Sequence, residues 1–125
     1  MIYLDTHVVV WLYAGEKKRF PAKAGKYIEE NELLISPVVL LELQYLKEIG
    51  RLLVEPGVIY ENLANTLTLN TCNLSFGKII SESLSQTWTR DPFDRIITAQ
   101  ALARDAVLLT KDGTILQNYP KAKWS

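Results

Sequence analysis

The chain has 125 residues, 48% of them hydrophobic and 22% charged, the size and composition of one ordinary globular domain over residues 1–125. A single cysteine, Cys72, excludes an intramolecular disulfide and a cysteine metal cluster, and no uncharged run approaches the ~20 residues of a membrane-spanning helix. Fourteen Lys and Arg balance fourteen Asp and Glu, so net charge does not mark a polyanion binder, and any such binding must come from how charge is distributed.

The opening apolar run is broken by Asp5 and His7 and has no basic region ahead of it, which argues against a signal peptide; with the lone cysteine, it points to a cytoplasmic protein with no membrane contact. Ile2 to Leu4 reads as a short buried strand ending at an acid. Helical patterns follow over Thr6 to Tyr13 and Pro21 to Asn31, with Gly15 to Arg19 as a surface loop between them. Leu33 to Ile35 is a second strand. Pro37 to Ile49 is a helix, with Ser36 as its cap, proline at its first position and Gly50 as its stop. Glu55 to Gly57 reads as a loop and Val58 to Thr66 as a weaker helix. Leu69 to Leu74 is the least regular strand candidate. Helices over Phe76 to Trp88 and Pro92 to Asp105 come next, then a β-branched and leucine-rich strand over Val107 to Thr110 and a last short piece near Ala122 to Trp124. Short strands alternating with crossover helices define an α/β domain with a mostly parallel sheet of four or five strands flanked by helices.

The acids are the informative residues. Asp5 ends the first strand and Asp112 follows the last strong strand residue, Thr110, by two positions; in an open parallel sheet those are the ligand-binding ends. Asp5 also suits the cap of the helix beginning at Thr6, and Asp112 with Gly113 suits a turn. In SPVVLLELQYLKEIGR, the positions three and four away from Glu42 are Val38, Val39, Tyr45 and Leu46, whereas Gln44, Lys47, Glu48 and Arg51 form the opposite face. Glu42 therefore points towards the core side, where a carboxylate needs a cation or donors. In RDPFDRIITAQALARD, Asp91 suits the helix cap before Pro92, and Asp94 shares a face with Ile97, Thr98 and Ala101, a strip suited to packing on the sheet.

Asp5, Glu42, Asp94 and Asp112 thus come from four separate segments and project to one end of one sheet. Clustered like charges repel, and a hard divalent cation such as Mg²⁺ or Mn²⁺, held by a few carboxylates and waters, relieves that repulsion. Such a cation suits phosphodiester hydrolysis, and it screens the acids from a polyanionic substrate.

IYLDTHVVVW, SPVVLLEL, DPFDRIITAQA, LLTKD and the closing tryptophan of KAKW together resemble the PIN-domain ribonucleases of the VapC toxin type, over nearly the whole chain. The most specific of these is DPFDR followed by an apolar helix. The resemblance implies a PIN-like fold and a metal-dependent endoribonuclease in which Asp5, Glu42, Asp94 and Asp112 are catalytic and bind Mg²⁺ or Mn²⁺. Thr6, Thr110 and Asp91 support them. It further implies an RNA substrate, a small cognate antitoxin and a homodimer. Two positions depart from the subgroup: Arg90 stands where histidine often precedes DPFDR, and His7 where a small polar residue often follows Asp-Thr. His7, the only histidine, reads as a structural or supporting residue rather than a general base.

Lys17, Lys18, Arg19, Lys23 and Lys26 cluster early in the chain, and Arg90 and Arg95 flank the acidic motif as candidate RNA contacts. Trp11, Tyr13, Tyr45 and Leu46 are candidates for an antitoxin groove, or equally for the core. Two other readings compete. A phosphoacceptor receiver domain would share the size and architecture, but it needs paired acids at the first strand and a lone aspartate at a central strand end, which this sequence lacks. A catalytically silent PIN-fold module that binds RNA or protein is the stronger rival, although all four acids are present.

Overall fold

A computed structural model describes all residues, Met1–Ser125. Five strands, β1 (Ile2–Leu4), β2 (Leu33–Ile35), β3 (Asn70–Thr71), β4 (Val107–Leu109) and β5 (Ala122–Lys123), form one sheet in the order β3-β2-β1-β4-β5, and every pairing is parallel. Parallel neighbours require crossovers, and seven helices accompany the strands: α1 (Thr6–Ala14), α2 (Ala22–Glu30), α3 (Val38–Glu48), α4 (Pro56–Leu67), α5 (Phe76–Ser83), α6 (Pro92–Ala103) and α7 (Gly113–Asn118). No helix is long and apolar enough to cross a membrane.

The three central strands are short and apolar on both faces. Ile2, Tyr3, Leu4, Ile35, Leu108 and Leu109 are all essentially inaccessible, as expected for a sheet covered by helices on both sides. Cys72 lies in the same core and accepts a hydrogen bond from the Tyr3 hydroxyl at 2.8 Å. The sheet order reverses at the centre: from β1 the chain moves outward to β2 and β3, then returns to the other side of β1 with β4. The carboxyl ends of β1 and β4 therefore flank a topological switch point, where an open α/β sheet leaves a crevice.

Helix starts follow capping chemistry. The Asp91 carboxylate accepts from the N–H groups of Phe93 and Asp94, and Asp112 accepts from those of Thr114 and Ile115. Pro37 already has helical dihedrals and the Ser36 hydroxyl accepts from Val38 N–H at 3.3 Å, so the cap lies where the sequence places it. Gly15, at φ +70°, turns the chain out of α1 with its N–H on the Leu12 carbonyl.

The structure departs from the sequence reading at five main places, the first being that only Asn70–Thr71 of the Leu69 to Leu74 candidate forms a strand. Lys17–Arg19 form a 3₁₀ turn within the expected loop. Helix α4 begins at Pro56 rather than Val58, because proline is favoured in a helix's first turn. Helix α5 ends at Ser83, five residues before Trp88, where the chain is tied by local bonds such as Trp88 Nε1–H to the Gln86 side chain. The sequence reading has no helix at Gly113–Asn118, yet Asp112 caps a short one there. Its six residues are too few for a periodic pattern to stand out.

Candidate active site

The crevice at the switch point is a cleft of about 360 Å³ lined by Asp5, His7, Trp11, Glu42, Asp91, Asp94, Lys111 and Asp112. All four acids expected at one end of the sheet, with Asp91, face this one space. Each arrives by a different local device: Asp5 and Asp112 as caps of the helices that follow β1 and β4, Glu42 along α3, and Asp91 and Asp94 at the start of α6.

A hydroxyl network holds the innermost acids. Asp5 is 7% exposed; its Oδ1 accepts from Thr6 N–H at 2.8 Å and its Oδ2 from the Thr110 hydroxyl at 2.6 Å. Thr110 Oγ1 in turn accepts from Asp112 N–H at 3.0 Å, and the Thr6 hydroxyl donates to Glu42 Oε1. Both threonines are fully buried, so their donors are fixed in direction. Thr6 thereby links Asp5 to Glu42, and Thr110 links Asp5 to the Asp112 backbone.

None of these acids is in an ion pair; the ion pairs of the protein are Arg19–Glu16, Lys26–Glu30, Lys47–Glu55 and Lys121–Asp105. The cost shows in their acidity. Burial pushes the Asp94 carboxyl up to about 7, with Asp91, Asp5, Asp112 and Glu42 adding like-charge repulsion. Burial also raises Glu42, against the Thr6 hydrogen bond, and raises Asp5, against those from Thr110 and Thr6.

Glu42 sits differently from the sequence expectation. The buried stripe of α3 is Val39, Leu43 and Leu46, whereas Tyr45 is 49% exposed. Glu42, next to Leu43, lies on the flank of that stripe, half-buried, and this tilt aims it into the cleft instead of the core. Leu46, a candidate for a partner groove, is a core residue. Ile97, Thr98 and Ala101 pack inward as the α6 pattern indicates, and the Thr98 hydroxyl is buried without a partner.

The basic residues are distributed unexpectedly. Arg95 Nε–H donates to the Thr89 carbonyl at 2.8 Å, and neither Arg95 nor Arg90 lines the cleft. The cation on the cleft wall is Lys111, its ammonium 5.9 Å over the Trp11 ring, and the Arg19 guanidinium lies 5.0 Å over the same ring. Sequence reasoning missed Trp11 and His7 as cleft walls. The available signal was their spacing of four on α1, immediately after Asp5, which puts both on one helix face. Behind Trp11, Phe20 and Trp124 complete an aromatic cluster with centroids 5.4–6.4 Å apart.

A second surface cavity, of about 340 Å³, lies on the other side of the same helices. It is apolar, walled by Pro37, Val38, Leu41, Phe76, Ile79 and Ile96; Leu41 is 60% and Phe76 66% exposed.

The domain is thus a parallel α/β sheet opened at its switch point, with five carboxylates gathered there and none of them in an ion pair. The PIN domain family matches residues 2–121, and the chain belongs to that family. No curated protein sequence matches it significantly. Among solved structures it resembles VapBC2 from Rickettsia felis bound to a DNA fragment from their promoter (TM-score 0.67, 21% identity, all of both chains) and a toxin-antitoxin complex from Klebsiella pneumoniae (TM-score 0.66, 21% identity, 97% of this chain and 94% of that one). DNA-bound VapBC from Salmonella typhimurium is similar too, at TM-score 0.61 and 19% identity over 98% and 94% of the two chains. At these identities the likeness is one of fold.

PIN-domain nucleases work with divalent metals, and the donor set here fits one: hard carboxylate oxygens with no thiol among them. As the side chains stand, no three metal-ligating groups enclose a single position.

Proposed function

We propose that this chain is a metal-dependent endoribonuclease of the VapC type, the toxin of a toxin-antitoxin pair that acts in the cytoplasm to inhibit translation or growth. The observation that carries the reading is the gathering of Asp5, Glu42, Asp94 and Asp112 in one cleft with no ion-pair partner, where burial first and then the neighbouring carboxylates raise Asp94 to about 7. A structure that needed these acids only for stability would pair them; leaving them unpaired costs stability that a bound cation returns. The similarity in fold to VapBC complexes supports the toxin assignment and a cognate antitoxin as partner; a homodimer is the assembly we propose for it.

In this reading Asp5, Glu42, Asp94 and Asp112 hold Mg²⁺ or Mn²⁺. When bound, the ion supplies an ionised water near neutral pH and offsets the charge of the phosphodiester. The residues of the chain do the positioning. Thr110 fixes Asp5 in one rotamer, Thr6 ties Glu42 to it, and Asp91 rigidifies the first turn of α6 so that Asp94 is presented at a constant height. Lys111, on the wall of the same cleft, is the cation that would attract the phosphate.

The deciding experiment is cleavage of labelled single-stranded and structured RNA by purified protein with Mg²⁺, Mn²⁺ or EDTA, alongside Asp5→Asn and Asp94→Asn. Metal-dependent cutting lost in both folded variants is the expected result. Equal activity in the variants would assign the cutting to a contaminant, and no cutting under any condition would leave the catalytically silent binding module.

A further inference from the structure

His7 and Trp11 line not only the acidic cleft but also a third cavity, of about 400 Å³, whose other lining residues include Glu16, Arg19, Leu46, Arg51 and Leu52. The wall is thus shared: one face of the His7–Trp11 pair looks at the carboxylates and the other at two guanidinium groups. His7 is exposed, its ring 6.1 Å from that of Trp11 and tilted by 48°. Arg19 is held over Trp11 and paired with Glu16 at 2.7 Å, so its charge is largely spent within the protein. Arg51 is exposed and in no ion pair.

We propose that this cavity is a nucleotide subsite, which seats the base next to the scissile phosphate against His7 and Trp11 and places the following phosphate on Arg51. The inference rests on the ribonuclease reading of the acidic cleft. A chain whose phosphate sits among the carboxylates must leave over the shared wall. There it meets an aromatic surface and then a free cation, the combination by which proteins hold single-stranded nucleic acid. An acidic peptide would satisfy Arg51 but gives no reason for the cavity to share a wall with a cleft of five acids.

The test measures single-stranded RNA binding with Mg²⁺ present in the cleavage-silent Asp94→Asn protein, with and without Arg51→Ala or His7→Ala. It also measures turnover by otherwise wild-type protein of RNA and of bis(p-nitrophenyl) phosphate, a diester too small to reach the cavity. The expected result is RNA binding about tenfold weaker for either substitution, with a salt dependence shallower by about 0.7 for Arg51→Ala and largely restored by Arg51→Lys. In turnover, Arg51→Ala raises KM for RNA with kcat unchanged and leaves the small diester unaffected. RNA binding and KM unchanged in both variants, while both diesters are still cut, overturns the subsite and leaves the nuclease. Failure to cut either diester removes the nuclease reading itself, and this proposal with it. If Arg51→Ala abolishes binding of poly-glutamate but not of RNA, the cavity belongs to a protein partner and the proposal is wrong.

Discussion

The acidic cleft and the apolar groove are almost equal in volume, about 360 and 340 Å³, and share two helices as walls. On α3, Glu42 faces the first and its neighbour Leu41 the second; on α6, Asp94 faces the first and Ile96, two residues on, the second. One turn of each helix therefore serves two surfaces of opposite character. The difference lies in what each surface costs when empty. Exposed apolar side chains in the groove forgo a modest burial energy, whereas the cleft forces ionised groups together and shifts their proton affinity. Unfavourable placement of charge is the stronger mark of a site, because stability alone would not produce it.

The sharpest way to break that contrast is to remove the cleft's charge. Asp94→Asn and Asp5→Asn should each lower RNA cleavage by at least about a hundredfold in steady-state assays, because losing a ligand outweighs the 10- to 100-fold typical of its supporting partners. Thr110→Val should fall within that smaller range, read as a drop in kcat with metal affinity weakened. It leaves the carboxylates in place but frees Asp5 to turn. A Thr110→Ser protein, which keeps the hydroxyl, should recover most of the activity.

Stability against pH sharpens the contrast further. A carboxyl raised to about 7 in the folded state, above its value near 4 when unfolded, binds protons more tightly in the native protein. Its contribution is fully present below pH ~4 and is lost as pH rises towards 7. Metal-free protein should therefore melt several degrees lower at pH 7.5 than at pH 5. Asp94→Asn should flatten that dependence, and Mg²⁺ at pH 7.5 should raise the melting temperature of the wild type but not of the variant. The smallest effect is expected from the groove: Leu41→Gln should change stability by no more than about 0.5 kcal/mol and cleavage by less than twofold, since its side chain is already 60% exposed. A large loss of cleavage from Leu41→Gln would mean that the two surfaces are functionally coupled.

The same contrast explains what could be read from the residues. The acids at β1, α3, α6 and α7 stand out because each interrupts an apolar pattern or ends one, and the strands at 2–4, 33–35 and 107–109 agree with their apolar runs. The groove is invisible by that logic. Leu41, Phe76 and Ile79 are apolar residues in helices, indistinguishable from core positions until α5 is seen to stop at Ser83 and leave one side of α3 open. Leu46 has two readings, core or partner groove, and it is a core residue. Where the arginines go was also unreadable: Arg95 is adjacent to Asp94 in sequence but is tied back to Thr89, whereas Arg19 and Arg51 line the neighbouring cavity beside His7 and Trp11.

The position of β1 at the centre of the sheet also bears on synthesis. Ile2 to Leu4 pair with Val107 to Leu109, and Asp5 is fixed by Thr110, so the first-made acid of the cleft waits for almost the last-made strand. Contacts so distant along the chain form late and slowly. On the ribosome, a nascent chain cannot assemble Asp5 and Asp112 into one cleft until residue 112 has been added, so the cleft and whatever activity it carries arise only when synthesis is nearly finished.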